Sequence, residues 1–331
     1  MPVDILSSQQ GILVVPEATA GTYVAPGSAA YIQTTDLKPS FNQADQKTLK
    51  LDGFNRPQNK SFVAKRHQKL VFSVPVSWPA AAPTATANLL AIDPLMRACG
   101  ASDPVAVAAT TVAPIVPAHV RYTELDDSTS VKTASISYRR RNGANHNERQ
   151  IANGRGVQKF KWKSGDVPQF DFDFLGAWKA QAQVVALDGT LGTQLTNIAQ
   201  PSNATNTVGV LLNGKGLCAV EISDDNLWRM KTAVMETLCG TGPMHQVLED
   251  SSLDVTFKMP NIVSEFNPDL YWGNDYPFEF AIKGDGSLNS RSMRFSWALV
   301  NAEKVDETAV DNWVYIKMSL TKLAPLVLQL F

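Results

Sequence analysis

Four groups of residues in this chain carry side chains that could do chemistry. Asp171 and Asp173 are carboxylates of the kind that acid–base catalysis uses. Their spacing puts both on one face of a strand, beside the lysines of the preceding segment, so they read as ion-pair partners. Cys218, Cys239 and His245 offer metal donors, yet no C-x-x-C or H-x-x-x-H spacing joins them. His67, His119 and His146 are scattered likewise. Gly154-Arg155-Gly156 is too short to cradle a phosphate and fits the start of a strand. The chain has no P-loop, dinucleotide fingerprint, nucleophile elbow or His-Glu-x-x-His. Arg139, Arg140 and Arg141 form a cationic run before Asn142-Gly143. Three readings stay open for it: a solvated hairpin end, a salt-bridge donor to another subunit, or a phosphate contact. None of these groups makes an enzyme, and no cofactor or metal is expected.

The elements that position these residues centre on 157–177, VQKFKWKSGDVPQFDFDFLGA. Phe160 and Trp162 alternate with Lys159, Lys161 and Lys163. Phe170, Phe172 and Phe174 alternate with Asp171 and Asp173. Period-two alternation predicts a half-buried antiparallel hairpin turning at Ser164-Gly165-Asp166. In that register the lysines face the aspartates across the ladder. So large an aromatic face needs another sheet or a helix to cover it.

The 331 residues suffice for two domains of ordinary size. A hydrophobic share of 44% with 18% charged describes a folded soluble protein, and no apolar run reaches a membrane span. Residues 323–331 are too short for one. The first ten residues lack the order of a signal peptide. A net charge of −1 gives no global field toward nucleic acid or lipid. Three scattered cysteines fit a reducing compartment better than a disulfide framework.

Along the chain, residues 1–35 read as an arm ordered by what it lies against. Residues 36–180 form a first domain, 181–207 a linker and 208–331 a second domain. In the first, strand material brackets a long polar excursion over 45–60. Leu70, Phe72, Val74, Val76 and Trp78 then share a face, with Pro75 marking an edge or a bulge. A short helix follows, with Asp93 as N-cap, Pro94 at the first helical position and Gly100 as its stop. Asn142-Gly143 signals a type I′ turn. The second domain repeats this order. A strand over 217–222 precedes a charged excursion over 224–249, part of it helical or laid against a neighbour. Leu253, Val255, Phe257 and Met259 alternate, Asn267-Pro268 opens a helix that Gly273 closes, and Asp285-Gly286 makes a turn. Phe295, Trp297 and Leu299 share a face, as do Val314, Ile316, Met318 and Leu320. This pattern is an internal duplication in order, not in identity.

Several stretches, in sequence, resemble the major tail tube proteins of long, non-contractile bacteriophage tails. They are GTYVAP, PLMRACGAS, VRYTE, SVKTASISYRRRNG, NGRGVQKFKWKSGDVPQFDFDFLG and DSSLDVTFKMP, which fall in that family's order between residues 21 and 260. The arginine run is unusual for that family. The resemblance implies two tandem β-sandwich or barrel-like tube domains, each with a short flanking helix, after an N-terminal arm. It implies rings that stack into a hollow virion tail tube through which DNA passes, assembled in the host cytoplasm. It also implies tape-measure, tail-terminator and distal tail proteins as partners, and no membrane. A conduit for sliding DNA should avoid tight phosphate binding, which weighs against that role for the arginines.

Two such domains per chain predict a ring of three chains with pseudo-sixfold symmetry, a six-chain ring being the alternative. The expected contacts between rings or subunits are Asp45, Lys47, Lys50, Arg56 and Lys60 in the first excursion, Asp224, Trp228, Arg229 and Lys231 in the second, and the three arginines. A β-sandwich binding module on a virion or cell surface is the competing function. Exposed aromatics in loops would be its sign.

Overall fold

A computed structural model of the chain describes residues 10–331 apart from 52–57, 80, 112–115, 128, 143–144, 178, 186–197, 200–208, 238–239, 261–266, 285–290 and 311–312. The fold is mainly β and antiparallel, and the described strands do not close into a barrel.

The first half holds β1 (Gln10–Pro16), β2 (Tyr31–Ile32), β3 (Thr35–Leu51), β4 (Gln58–Pro75), α1 (Asp93–Ala98), β5 (Val105–Val107), β6 (His119–Thr123), β7 (Ala134–Asn142), β8 (Asn145–Lys163), β9 (Gln169–Ala177) and β10 (Ala182–Val185). The second holds β11 (Gly209–Leu212), β12 (Lys215–Leu217), β13 (Ala219–Asp224), β14 (Met230–Thr237), β15 (Gly240–Leu248), β16 (Ser252–Lys258), a 3-10 turn (Pro268–Tyr271), β17 (Asp275–Lys283), β18 (Ser292–Val310), β19 (Trp313–Lys322) and β20 (Leu326–Leu330).

Seven ladders of the first half have counterparts in the second, while β5–β6 and β14–β15 stand outside the match. β1–β2, β1–β7, β3–β4, β4–β9, β7–β8, β8–β9 and β8–β10 in the first recur as β11–β12, β11–β17, β13–β16, β16–β19, β17–β18, β18–β19 and β18–β20 in the second. β8 and β18 both run 19 residues, and each is bulged against its C-terminal neighbour, between Ala152 and Arg155 or between Ala302 and Lys304. In both halves the short helical element lies between corresponding strands.

Two further ladders tie the halves together, β13 on the end of β8 and β20 on β6, and one hydrophobic cluster runs through both. The central hairpin turns between Lys163 and Gln169, with Phe160, Trp162, Phe170, Phe172 and Phe174 all buried. Lys159 stands opposite Asp171 on the ladder, but the ion pairs are Lys161–Asp171 at 2.8 Å, Lys69–Asp173 at 2.6 Å and Lys159–Asp225 at 3.5 Å. β4 and the turn after β13 thus take two of the charges expected to meet across the hairpin.

Several expectations need correction. β4 is flanked by β3 and β9, so Pro75 does not mark an edge; it is the strand's last residue. Val76 donates to the Pro168 carbonyl, which turns the Pro75 nitrogen to the other side, where the β3 ladder has ended at Ser73. Ile92, not Asp93, is the N-cap of α1, because the Asp93 carboxylate turns to Arg97 and the Tyr122 hydroxyl. Asn142 is a rung opposite Asn145, not a turn residue. The arm is not all peripheral: Ile12, Leu13 and Val14 of β1 are core, since β1 is laddered on β7. Cys218 interrupts the strand expected over 217–222. Part of the expected linker is strand β10. Leu299 and Val314 are exposed, out of step with the buried faces assigned to them. The 285–286 turn lies outside the described residues.

Gly100 does more than stop α1. Its φ of +114° suits glycine, and an added Cβ would lie 2.6 Å from the Met230 side chain of the second half.

Candidate assembly interface

The two excursions contain hairpins. Asp45, Lys47 and Lys50 lie in β3 and Lys60 in β4, with rungs such as Lys47↔Phe62 and Leu49↔Lys60, while Arg56 is outside the described residues. The second excursion runs through a tight turn into the β14–β15 hairpin, without a helix.

Three of the second excursion's expected contact residues are used inside the chain. Trp228 is fully buried, and its indole N–H donates to Gln158 Oε1 at 2.6 Å. Asp224, 1% exposed, accepts from Lys322 Nζ at 2.6 Å. Arg229 pairs with buried Glu124 at 2.6 Å. Trp228 and Arg229 bind the second half to the first, Asp224 is held within the second half, and all three are used inside the chain. Their sequence looked like a loop because charged residues are seldom buried unless paired, and the partners lie about a hundred residues away. Lys231 is exposed and pairs with Glu249 at 2.8 Å.

The arginine run is split by strand alternation. Arg139 reaches Glu148 at 3.0 Å in a largely buried pair. The Glu148 carboxylate also accepts from Ser137, from Gln150 at 2.8 Å and from Tyr23 at 3.3 Å. Burial opposes its ionisation, but these donors outweigh burial and hold it below the ordinary glutamate range. Its stabilisation is therefore present above that range and is lost as pH falls through the depressed value. Glu148→Gln is expected to cost about 2 kcal/mol at neutral pH and to flatten that part of the acid limb. Urea denaturation across pH checks both. Arg140 lies 5.6 Å over the Tyr138 ring, and Arg141 is exposed.

No protein-family model matches the chain, and no curated protein matches it.

Among the described residues no three His, Cys, Asp or Glu side chains are placed to hold a metal. No described helix is long and apolar enough to cross a membrane. The feature that stands out is backbone. Past Glu303, whose carbonyl accepts from the Trp272 indole, β18 is laddered on β19 alone among the described residues. β3 is likewise laddered on β4 alone. The matching edges of the other half, on β8 and β13, are joined to each other. Sequence reasoning missed this because strand edges are set by topology, not by local pattern.

Proposed function

We propose that the chain is a structural virion subunit that polymerises into stacked rings, forming the hollow tail tube through which phage DNA is delivered. The sequence resemblance points there, and one structural observation carries the reading. The two halves repeat one set of ladders and are joined edge to edge at β8 and β13, while the corresponding edges of β18 and β3 have no described strand beside them. An unpaired edge is a hazard for a solitary chain. A head-to-tail contact that closes removes the hazard and makes a ring. Three chains of two repeats each give the favoured ring, with pseudo-sixfold symmetry; six chains are the alternative. The tape-measure, terminator and distal tail proteins belong to this proposal as partners.

Negative-stain microscopy of purified protein at rising concentration should show rings or tubes. Solitary particles at every concentration would defeat the reading. The competing role, a surface binding module, draws on Leu270 of the short 3-10 turn and Trp272 just after it, 67% and 66% exposed. Microscopy separates the two, since a binding module has no reason to form tubes.

A further inference from the structure

The seam inside the chain is a template for the seam between chains. This inference rests on the tube reading and adds which surfaces meet and by what chemistry. Counting rungs from the shared bulge, Arg155↔Leu175 matches Lys304↔Ser319. Phe160↔Phe170 then matches Ala309↔Val314, and Gln158↔Phe172 matches Glu307↔Ile316. At the internal seam Phe160 is fully buried, with ring centroids 5.1 Å from Phe280 and 5.3 Å from Phe295 of the second half. At the matching place in the second half, Glu307 and Ala309 are exposed, and Val314 is 44% exposed where Phe170 is 0%. This end of β18–β19 has the inward face of its counterpart but lacks the cover.

The cover can be located the same way. Rung Ile136↔Ile151 matches Tyr276↔Val300, which puts Tyr138 in the place of Phe278 and Arg140 in that of Phe280. An extra β18 residue at the bulge after Val300 sets Arg149 against Trp297. Contacts agree: Arg149 lies 5.2 Å over Phe41, and Trp297 lies beside the Lys322–Asp224 pair, Asp224 being the β13 residue that matches Phe41 of β3. Where the internal seam is covered by phenylalanines and a tryptophan, the first half offers two partly exposed cations on aromatic rings. Neither Arg140 nor Arg149 forms an ion pair with a described carboxylate, and Arg140 Nε has no described acceptor. Glu307, on the inward face of the uncovered end, has no described ion pair either.

We infer that the outer edge of β3 in one chain ladders onto residues 304–310 of β18 in the next, and that Arg140 and Arg149 of the first chain receive Glu307 of the second. The internal seam is aromatic and permanent. The seam between chains is electrostatic, so ring formation weakens as salt rises.

By the β13–β8 register, in which Ser223 opposes Lys161, Ser40 comes opposite Val310 of the neighbour. The test therefore has two arms. Ser40→Cys with Val310→Cys, in a Cys218→Ser, Cys239→Ser background, should crosslink on oxidation into covalent dimers and trimers and nothing larger. Glu307→Arg should raise the concentration needed for assembly at least about tenfold, because it sets like charges together. Adding Arg140→Glu to it should restore assembly. Circular dichroism should show all variants folded, since Glu307 is exposed. Wild-type chains that never assemble defeat both readings. Tubes that form normally from Glu307→Arg and yield no crosslink defeat the seam and leave the tube standing. A crosslinked ladder that continues to six chains overturns closure by three.

Discussion

Lys322→Met is expected to remove about 3–5 kcal/mol of stability, a large part of what a folded chain has to lose. Lys322 Nζ has no solvent exposure; it donates to Asp224 Oδ1 at 2.6 Å and to the Asn226 carbonyl at 2.8 Å. Glu124 lies close by, accepting from Arg229 at 2.6 Å and from the Leu326 N–H at 3.1 Å. Burial pulls the Lys322 ammonium below its ordinary range, with Asp224 resisting, and burial raises the Glu124 carboxyl. Each charge is tolerated because the other sign is beside it. Methionine fills similar volume but leaves Asp224 charged, buried and short of its partner. A second change, Asp224→Leu, should recover most of the loss, because an apolar pair of similar size avoids both desolvation costs. Denaturant midpoints for the wild type, the single variant and the double variant check this. Recovery that fails would show that the hydrogen bonds at Asn226, its carbonyl accepting from Lys322 and its N–H donating to Asp224, rather than charge balance carry the stability.

This cluster also shows where sequence reading stops. Asp224, Trp228 and Arg229 sit in a charged, turn-rich stretch, and nothing local distinguishes them from a surface loop. Their burial is decided by Gln158, Glu124 and Lys322 in distant strands. The aromatic strands around 160–174 were legible, because period-two alternation is a local signal with a direct physical cause. β20 was not read as a strand, although Leu326, Leu328 and Leu330 are all buried, since five residues at a chain end give too short a pattern. The polar hairpin of β3 and β4 carries no apolar alternation over 45–60, so its strands had no signature. The repeated order of elements was visible. What the repeat implies for edges became visible only with the ladders, because pairing is non-local. The candidate interface follows the same division: the arginine run is a local signal, but its residues serve different faces, and Glu307 and Arg149 are lone charges without a local pattern.

The contrast between Phe160 and Val314 tests the same geometry from the stability side. Phe160→Ala should cost about 3–5 kcal/mol, since it deletes a fully buried ring and leaves a cavity that a rigid two-sided ladder cannot collapse into. Phe160 is held by β9 on one side and β13 on the other, and its ring meets Phe170, Phe280 and Phe295 at 5.6, 5.1 and 5.3 Å. The loss should lower one shared unfolding transition, because the cavity opens between halves that bury a single core. Val314 matches Phe170 in the second half, yet Val314→Ala should change the stability of the dilute chain by no more than about 0.5 kcal/mol, as expected for an exposed site. If Val314 is covered by a neighbouring chain, the same substitution should weaken assembly while leaving the subunit's own unfolding unchanged. Denaturation of dilute subunits and a concentration series by light scattering separate the two effects. A large stability loss from Val314→Ala in the dilute chain would mean that this end is already packed within one molecule, and the edge beside it would not be waiting for another.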